Sequence, residues 1–181
     1  MRTIIFLLTF IYLPFTGLMA QDENKIITDP VKGTDMLIGT VNREGLETLG
    51  DWFGNEYRDY QADPLVIERL KMHSESYPYI FIVLGTWCGD SREQVPRFFR
   101  ILDLLEYPES NIFMVAVDRE KKAGEFCIGD FGIGLVPTFI FSQQGEETGR
   151  IIETPVVSLE QDFLDILNGR SVAPESHTGD H

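Results

Sequence analysis

Cysteine is scarce in this chain. Only Cys88 and Cys127 occur among 181 residues, so counting alone permits one disulfide. Histidine is nearly as rare. His73, His177 and His181 are the only three, and two of them fall in a polar tail, too few ligands for a metal site. No metal and no cofactor is expected. Basic residues are also in deficit: 15 Lys and Arg stand against 29 Asp and Glu, a net charge of −14. This excludes nucleic acid as a partner, because phosphates demand Lys and Arg, and it argues against an anionic membrane surface.

Long apolar runs are absent apart from the N-terminus, "MRTIIFLLTFIYLPFTGLMAQDENK". Arg2 is a short basic region, Ile4 to Leu13 is apolar, and Pro14 and Gly17 interrupt the run before Ala20. This pattern predicts an export signal cut after Ala20, although Leu18 is larger than the cleavage rule prefers. An uncleaved membrane anchor is the competing reading, for which the run is short and interrupted. No integral span is expected after cleavage. Export places the mature chain in the periplasm or the extracellular space, where paired cysteines are usually oxidised.

The remaining chain reads as one α/β domain over residues 36–168. Residues 21–35 are expected as a flexible leader and 169–181 as a disordered tail. "MLIGTV" predicts a strand. Leu46, Leu49, Trp52, Phe53, Tyr57 and Tyr60 recur at helical steps and predict one amphipathic helix. "ADPLVIERLKMH" predicts a second, with Asp63 as N-cap and Pro64 at its first position. "YIFIVLGTW" is a strand buried on both faces. "SREQVPRFFRILDLLEY" follows as a helix with a Ser91–Gln94 capping box and Pro96 inside it. "NIFMVAVD" is a further buried strand, and "REKKAGEFCIGDFGI" reads as a short helix. "VPTFIF" and "GRIIE" form a hairpin, and "SLEQDFLDIL" closes the domain as a helix with a Ser158–Gln161 capping box. Such alternation implies a central sheet with helices on both faces.

The chemistry concentrates in "GTWCGDSREQVPRFF", residues 85–99. Cys88 sits where a strand passes to a helix. Free backbone N–H groups and the helix dipole favour negative charge there, and so favour a thiolate. Trp87 shields the position, Arg92 adds positive charge and Asp90 opposes it. The bland alternative is an inert cysteine in a core turn. "DREKK", residues 118–122, reads as a solvated loop.

These residues resemble the thioredoxin superfamily over about residues 36–168. "TWCGDS" resembles the W-C-G-P-C reaction centre, and Pro96 falls where that helix carries a kinking proline. "FGIGLVPTFIF" resembles the Y-G-I-x-x-I-P-T segment, and the chain from Gln143 onward resembles the terminal hairpin and helix. The resemblance implies a thioredoxin-like fold with a central mixed β-sheet, here with extra N-terminal helices. The C-G-D-S centre resembles that of exported bacterial thioredoxin-like proteins. It implies a cis bond before Pro137, with Val136 offering its backbone to a substrate strand. A proline that merely starts an edge strand is the alternative.

The departures bear on function. Ser91 stands in place of the resolving cysteine, Asp90 in place of proline, Ile82 in place of a buried acid, and Glu153 in place of a glycine. A Cys88–Cys127 bridge would need Cα atoms within about 7 Å. The resemblance puts Cys127 on the opposite face of the sheet, where it would serve as a small apolar filler. Cys88 alone can attack a disulfide and form a mixed disulfide, which Ser91 cannot resolve. Ser91 would cap the helix or donate to the thiolate. One reading is therefore a monothiol exchange or disulfide isomerase activity, with Cys88 and Ser91 at the centre and Trp87, Gly89, Val136 and Pro137 contacting substrate. Its partners would be protein thiols or disulfides and an external reductant. The other is a non-catalytic module that binds peptide or protein in the Cys88–Pro137 groove. Oligomeric state is open.

Overall fold

The strand read as most buried, β3 (Tyr79–Leu84), lies inside a mixed six-stranded sheet. The computed structural model describes residues 23–172; the expected export signal and the tail beyond 172 lie outside them. β3 pairs in parallel with β4 (Ile112–Ala116) and antiparallel with β5 (Thr138–Gln143). Parallel neighbours need a crossover, and helix α4 (Gly89–Leu104) supplies it. β6 (Glu146–Ile152) returns from β5 as a hairpin across Gly145, whose φ of 87° suits glycine. On the far side, β2 (Asp35–Val41) pairs with β4 and with β1 (Lys25–Thr28), giving the order β1-β2-β4-β3-β5-β6.

Alternation along β3 divides the core. Ile80, Ile82 and Leu84 join Phe98 and Ile101 of α4 and Phe163 of the last helix, α5 (Leu159–Leu167). Val83 joins Val115, Val117, Ala123, Ile128 and Val136 on the opposite face. Helices α1 (Arg43–Glu47), α2 (Trp52–Asp59) and α3 (Pro64–Lys71) precede β3. The buried Glu160 ties the end of α2 and the start of α3 to α5, accepting from the Tyr60 hydroxyl at 2.6 Å and the Asp63 N–H at 3.0 Å. The architecture is a thioredoxin-like α/β fold: a central mixed sheet flanked by helices, with extra helices at the N-terminal side.

Four local readings change. The leader contains β1, because Asn24 reaches across to Asn42, donating at 2.8 Å and accepting from the Asn42 N–H at 3.0 Å. Gly45 makes room for this, since a Cβ there would lie 2.0 Å from Asn24 Oδ1. A polar segment with few apolar residues thus gains order from pairing that its composition does not reveal. The helix expected from Leu46 to Tyr60 divides into α1 and α2 around Gly50, whose φ of 108° is left-handed backbone. The short helix expected over "REKKAGEFCIGDFGI" is reduced to one 3-10 turn, Gly129–Phe131. Gly124 and Gly132 there take φ of 63° and 62°, which ends helical continuation. The Ser91–Gln94 capping box does not form, because α4 begins at Gly89 and Cys88 is its N-cap. Ser158 does cap α5, accepting from Gln161 N–H at 3.2 Å, while the Gln161 side chain turns to Asp165 instead of reaching back.

Among the described residues, no helix is long and apolar enough to cross a membrane.

Candidate active site

The turn from β3 into α4 is held at every residue. Gly85 N–H donates to Ser91 Oγ at 3.1 Å, and Cys88 N–H donates to the Gly85 carbonyl at 2.8 Å. Thr86 Oγ1 accepts from Leu37 N–H of β2 at 3.0 Å, and the Thr86 carbonyl accepts from Arg92 Nε at 2.6 Å. Trp87 folds back over Gly85, where a Cβ would meet the indole at 2.7 Å. Its Nε1–H donates to the Val117 carbonyl at 2.8 Å. Gly85 is therefore required for the indole to lie where it does.

This frame presents Cys88, half-buried, at the start of α4. The first-turn N–H groups of a helix lack intrahelical acceptors, so the dipole end faces the sulfur. Cys88 Sγ donates to the Val136 carbonyl at 3.3 Å and lies 3.8 Å from Asp90 Oδ2. The Val136–Pro137 peptide bond is cis, and both residues are buried. The Pro137 carbonyl is already engaged, accepting from Glu153 N–H at 2.7 Å, with Glu153 at a φ of 62°. Gly89 has open space where a side chain would stand, so the approach to the sulfur is free on that side. Trp87, Cys88, Gly89, Val136 and Pro137 thus come together. Ser91 is close in the chain but turns inward. It is fully buried and its oxygen serves the Gly85 N–H, neither capping the helix nor bonding to Cys88.

Cys127 stands apart from its expected role. It is exposed, and both cysteines are free. With no helix around it, no packing surface draws it inward.

Two residues that the sequence did not single out complete the site. Asp29, in the turn after β1, is fully buried and accepts from Arg119 Nε at 2.9 Å and Nη2 at 2.7 Å, and from Val31 N–H at 2.9 Å. The Arg119 guanidinium lies over the Trp87 ring at 4.8 Å, and Lys121 Nζ lies 5.6 Å from it. The "DREKK" loop is therefore a wall of the site. Asp118 shapes it, accepting from the N–H groups of Glu120 and Lys122 at 2.8 and 2.9 Å. A hint was present in the cations close to an Asp, but their partner lies 90 residues away.

The Arg119 hydrogen bonds hold the Asp29 carboxyl well below the usual carboxylate range, against the opposing effect of burial. A carboxyl depressed on folding contributes stability above its unfolded pKa of about 3.9, and loses it as pH falls further. Hydrogen-exchange protection of residues 25–35 should accordingly be full near neutrality and decline in acid. Asp29→Asn should lower that protection at neutral pH and flatten its acid dependence. Unchanged protection in the variant would show that the pair does not secure this hairpin.

No family model matches the chain. A mitochondrial thioredoxin O of Oryza sativa subsp. japonica is 30% identical over 90 residues, covering 50% of this chain and 49% of that protein. A thioredoxin of Aspergillus fumigatus is 24% identical over 90 residues, covering 50% and 78%. A thioredoxin-like protein of Acanthamoeba polyphaga mimivirus is 26% identical over 80 residues, covering 44% and 56%. The matched part of this chain thus spans about half the length of the first and third of these relatives. Among solved structures, a Pseudomonas aeruginosa protein of unknown function is 14% identical with a TM-score of 0.47, covering 65% of this chain and 82% of its own. Taken with the fold, the distant thioredoxin similarities support placing this chain in the thioredoxin superfamily.

Proposed function

We propose that this protein carries out thiol–disulfide exchange of the monothiol type at Cys88, outside the cytoplasm. The observation that carries the reading is the position of Cys88 Sγ, at the start of α4 and 3.3 Å from the Val136 carbonyl, with open space over Gly89. A sulfur so placed can meet a disulfide approaching along the Val136–Pro137 backbone. The thiolate attacks one sulfur of the substrate, a Cys88 mixed disulfide forms, and the other sulfur leaves as a thiolate. Ser91 cannot expel the substrate, as its hydroxyl is buried and unactivated. The mixed disulfide is resolved by an external thiol, or by another cysteine of the substrate, which rearranges that substrate's bonds.

The rival reading is a binding module without turnover. Ile82, fully buried where the resemblance implies an acid, favours it, since no carboxyl lies on the strand at that position to manage protons.

The test uses a neutral reagent, hydroxyethyl disulfide, followed by peptide mass mapping, which separates Cys88 from the exposed Cys127. The expected result is a Cys88 adduct that persists until a thiol is added. Ser91→Cys should make the adduct transient and leave an internal disulfide with Cys88, since the two positions are neighbours on the helix face. That variant weakens the oxygen acceptor of the buried Gly85 N–H, at a cost of about 1–3 kcal/mol. No Cys88 adduct in the folded protein would overturn exchange and leave the binding module.

A further inference from the structure

The sheet face that carries Val83 also carries a strip of aromatic rings. Phe81 of β3 and Phe113 of β4 are register partners, and their rings stack at 5.7 Å. Phe126 lies 5.5 Å from Phe113 and 6.3 Å from Phe81, and Phe131 lies 4.7 Å from Phe81. Cover over this face is uneven. Val83 and Val115 are fully buried, whereas two residues back along β4 Phe113 is 44% exposed, and Tyr79 at the start of β3 is 62% exposed. Exposed rings that touch one another, rather than lying scattered, mark an interaction surface. The strip runs into a cleft of about 390 Å³, and Phe113 belongs to both. Phe99 and Met114 give the cleft apolar walls, and Glu23, Glu44 and Glu109 give it carboxylates. Arg43 is the one cation among its described walls, and it is committed to Glu47 at 3.1 Å and Asp103 at 2.8 Å. Glu23 accepts from the neutral Asn42 Nδ2 at 2.8 Å, and none of the three carboxylates forms an ion pair among the described residues.

We propose that this face docks a basic, apolar segment of a partner protein, with its Phe or Leu side chains on the aromatic strip and a Lys or Arg in the cleft. Charge complementarity selects this occupant. The carboxylates in the cleft are unbalanced, and the chain's −14 adds a long-range field of the same sign. A second copy of the chain would bring that charge with it and be repelled. A basic side chain suits the walls as well as the charge. Its aliphatic stem can lie along Phe113 and Met114 while its head reaches the carboxylates. A guanidinium over the Phe113 ring would gain a cation–π contact besides. The strip is remote from the sulfur along the strands. Ile112 and Phe113 open β4 beside Ile80 and Phe81 at the start of β3, whereas Cys88 follows the end of β3. Docking here therefore does not depend on exchange at Cys88.

The experiment titrates the full chain with three synthetic peptides that share a Leu-Phe repeat and differ only in the intervening residue, Arg, Gln or Glu. Affinity is read by calorimetry, and self-association by sedimentation. The expected order of affinity is Arg, Gln, Glu. Phe113→Ala should weaken the Arg peptide by about tenfold, through lost apolar contact. Glu44→Gln combined with Glu109→Gln should weaken it by about fivefold, as for exposed ion pairs, and leave the Gln peptide unaltered. Both sets of side chains reach the surface, and melting temperature establishes that each variant is folded. Glu68→Gln, on α3 and outside the cleft, should leave every affinity unaltered, as should Cys88→Ser. Equal affinity for the Arg and Glu peptides, or an Arg peptide that neither Phe113→Ala nor the paired Glu variant weakens, overturns the site. An Arg peptide weakened as much by Glu68→Gln reports only the net charge and overturns it too. Self-association of the chain that Phe113→Ala abolishes would give the face to a second copy and overturn the basic partner.

Discussion

Cys88→Ser should reduce adduct formation with hydroxyethyl disulfide at this position to background. Oxygen and sulfur fill similar space, and a serine hydroxyl can still donate to the Val136 carbonyl that Cys88 Sγ now faces at 3.3 Å. The first turn of α4 keeps its backbone bonds, including Arg92 N–H to the residue 88 carbonyl at 3.2 Å. What disappears is the nucleophile, because an unactivated hydroxyl does not attack disulfides. Cys127→Ser provides the contrast. That thiol is exposed, and its loss should remove only a second, independent label. Melting temperature, followed in parallel, establishes that each variant is folded. If a partner protein is captured equally well by wild type and Cys88→Ser, the groove binds without chemistry, and the module reading replaces exchange.

Phe163→Ala should have the largest effect on stability. Phe163 is fully buried at the meeting point of α5, the sheet and α4. Its ring stacks on Phe141 at 4.9 Å and contacts Phe98 at 5.9 Å, Tyr107 at 6.2 Å and Tyr77 at 6.5 Å. Truncation removes the ring and leaves a cavity that α4, α5 and the sheet cannot close together, at a cost of about 3–5 kcal/mol. For a chain of this size that corresponds to a fall in Tm of roughly 6–20 °C. Phe131→Ala is the comparison, as that ring is 39% exposed and contacts Phe81 from the surface. Its effect should be about 1 kcal/mol or less. Equal losses for the two variants, measured by urea unfolding, would refute a core centred on Phe163.

The parts of the fold readable from the chain are those specified by near neighbours. Continuous apolar residues mark β3 and β4, helical spacing marks α4 and α5, and Asp63 and Ser158 cap the helices they precede. These signals act over one or two turns, where propensity and capping operate. The strand-to-helix passage at Cys88 belongs to this group, as does the segment around Pro137. By itself, then, the sequence determined the sheet-and-helix alternation and the place of the Cys88 sulfur within it.

Only the tertiary structure decided what surrounds that sulfur. Asp29 and Arg119 are 90 residues apart and meet because β1 pairs with β2 at the sheet edge, which no local pattern announces. Ser91 has the sequence position of a helix cap, yet the packing of the turn directs its oxygen to the buried Gly85 N–H. A buried polar group must find a partner, and which partner it finds depends on where distant backbone comes to rest.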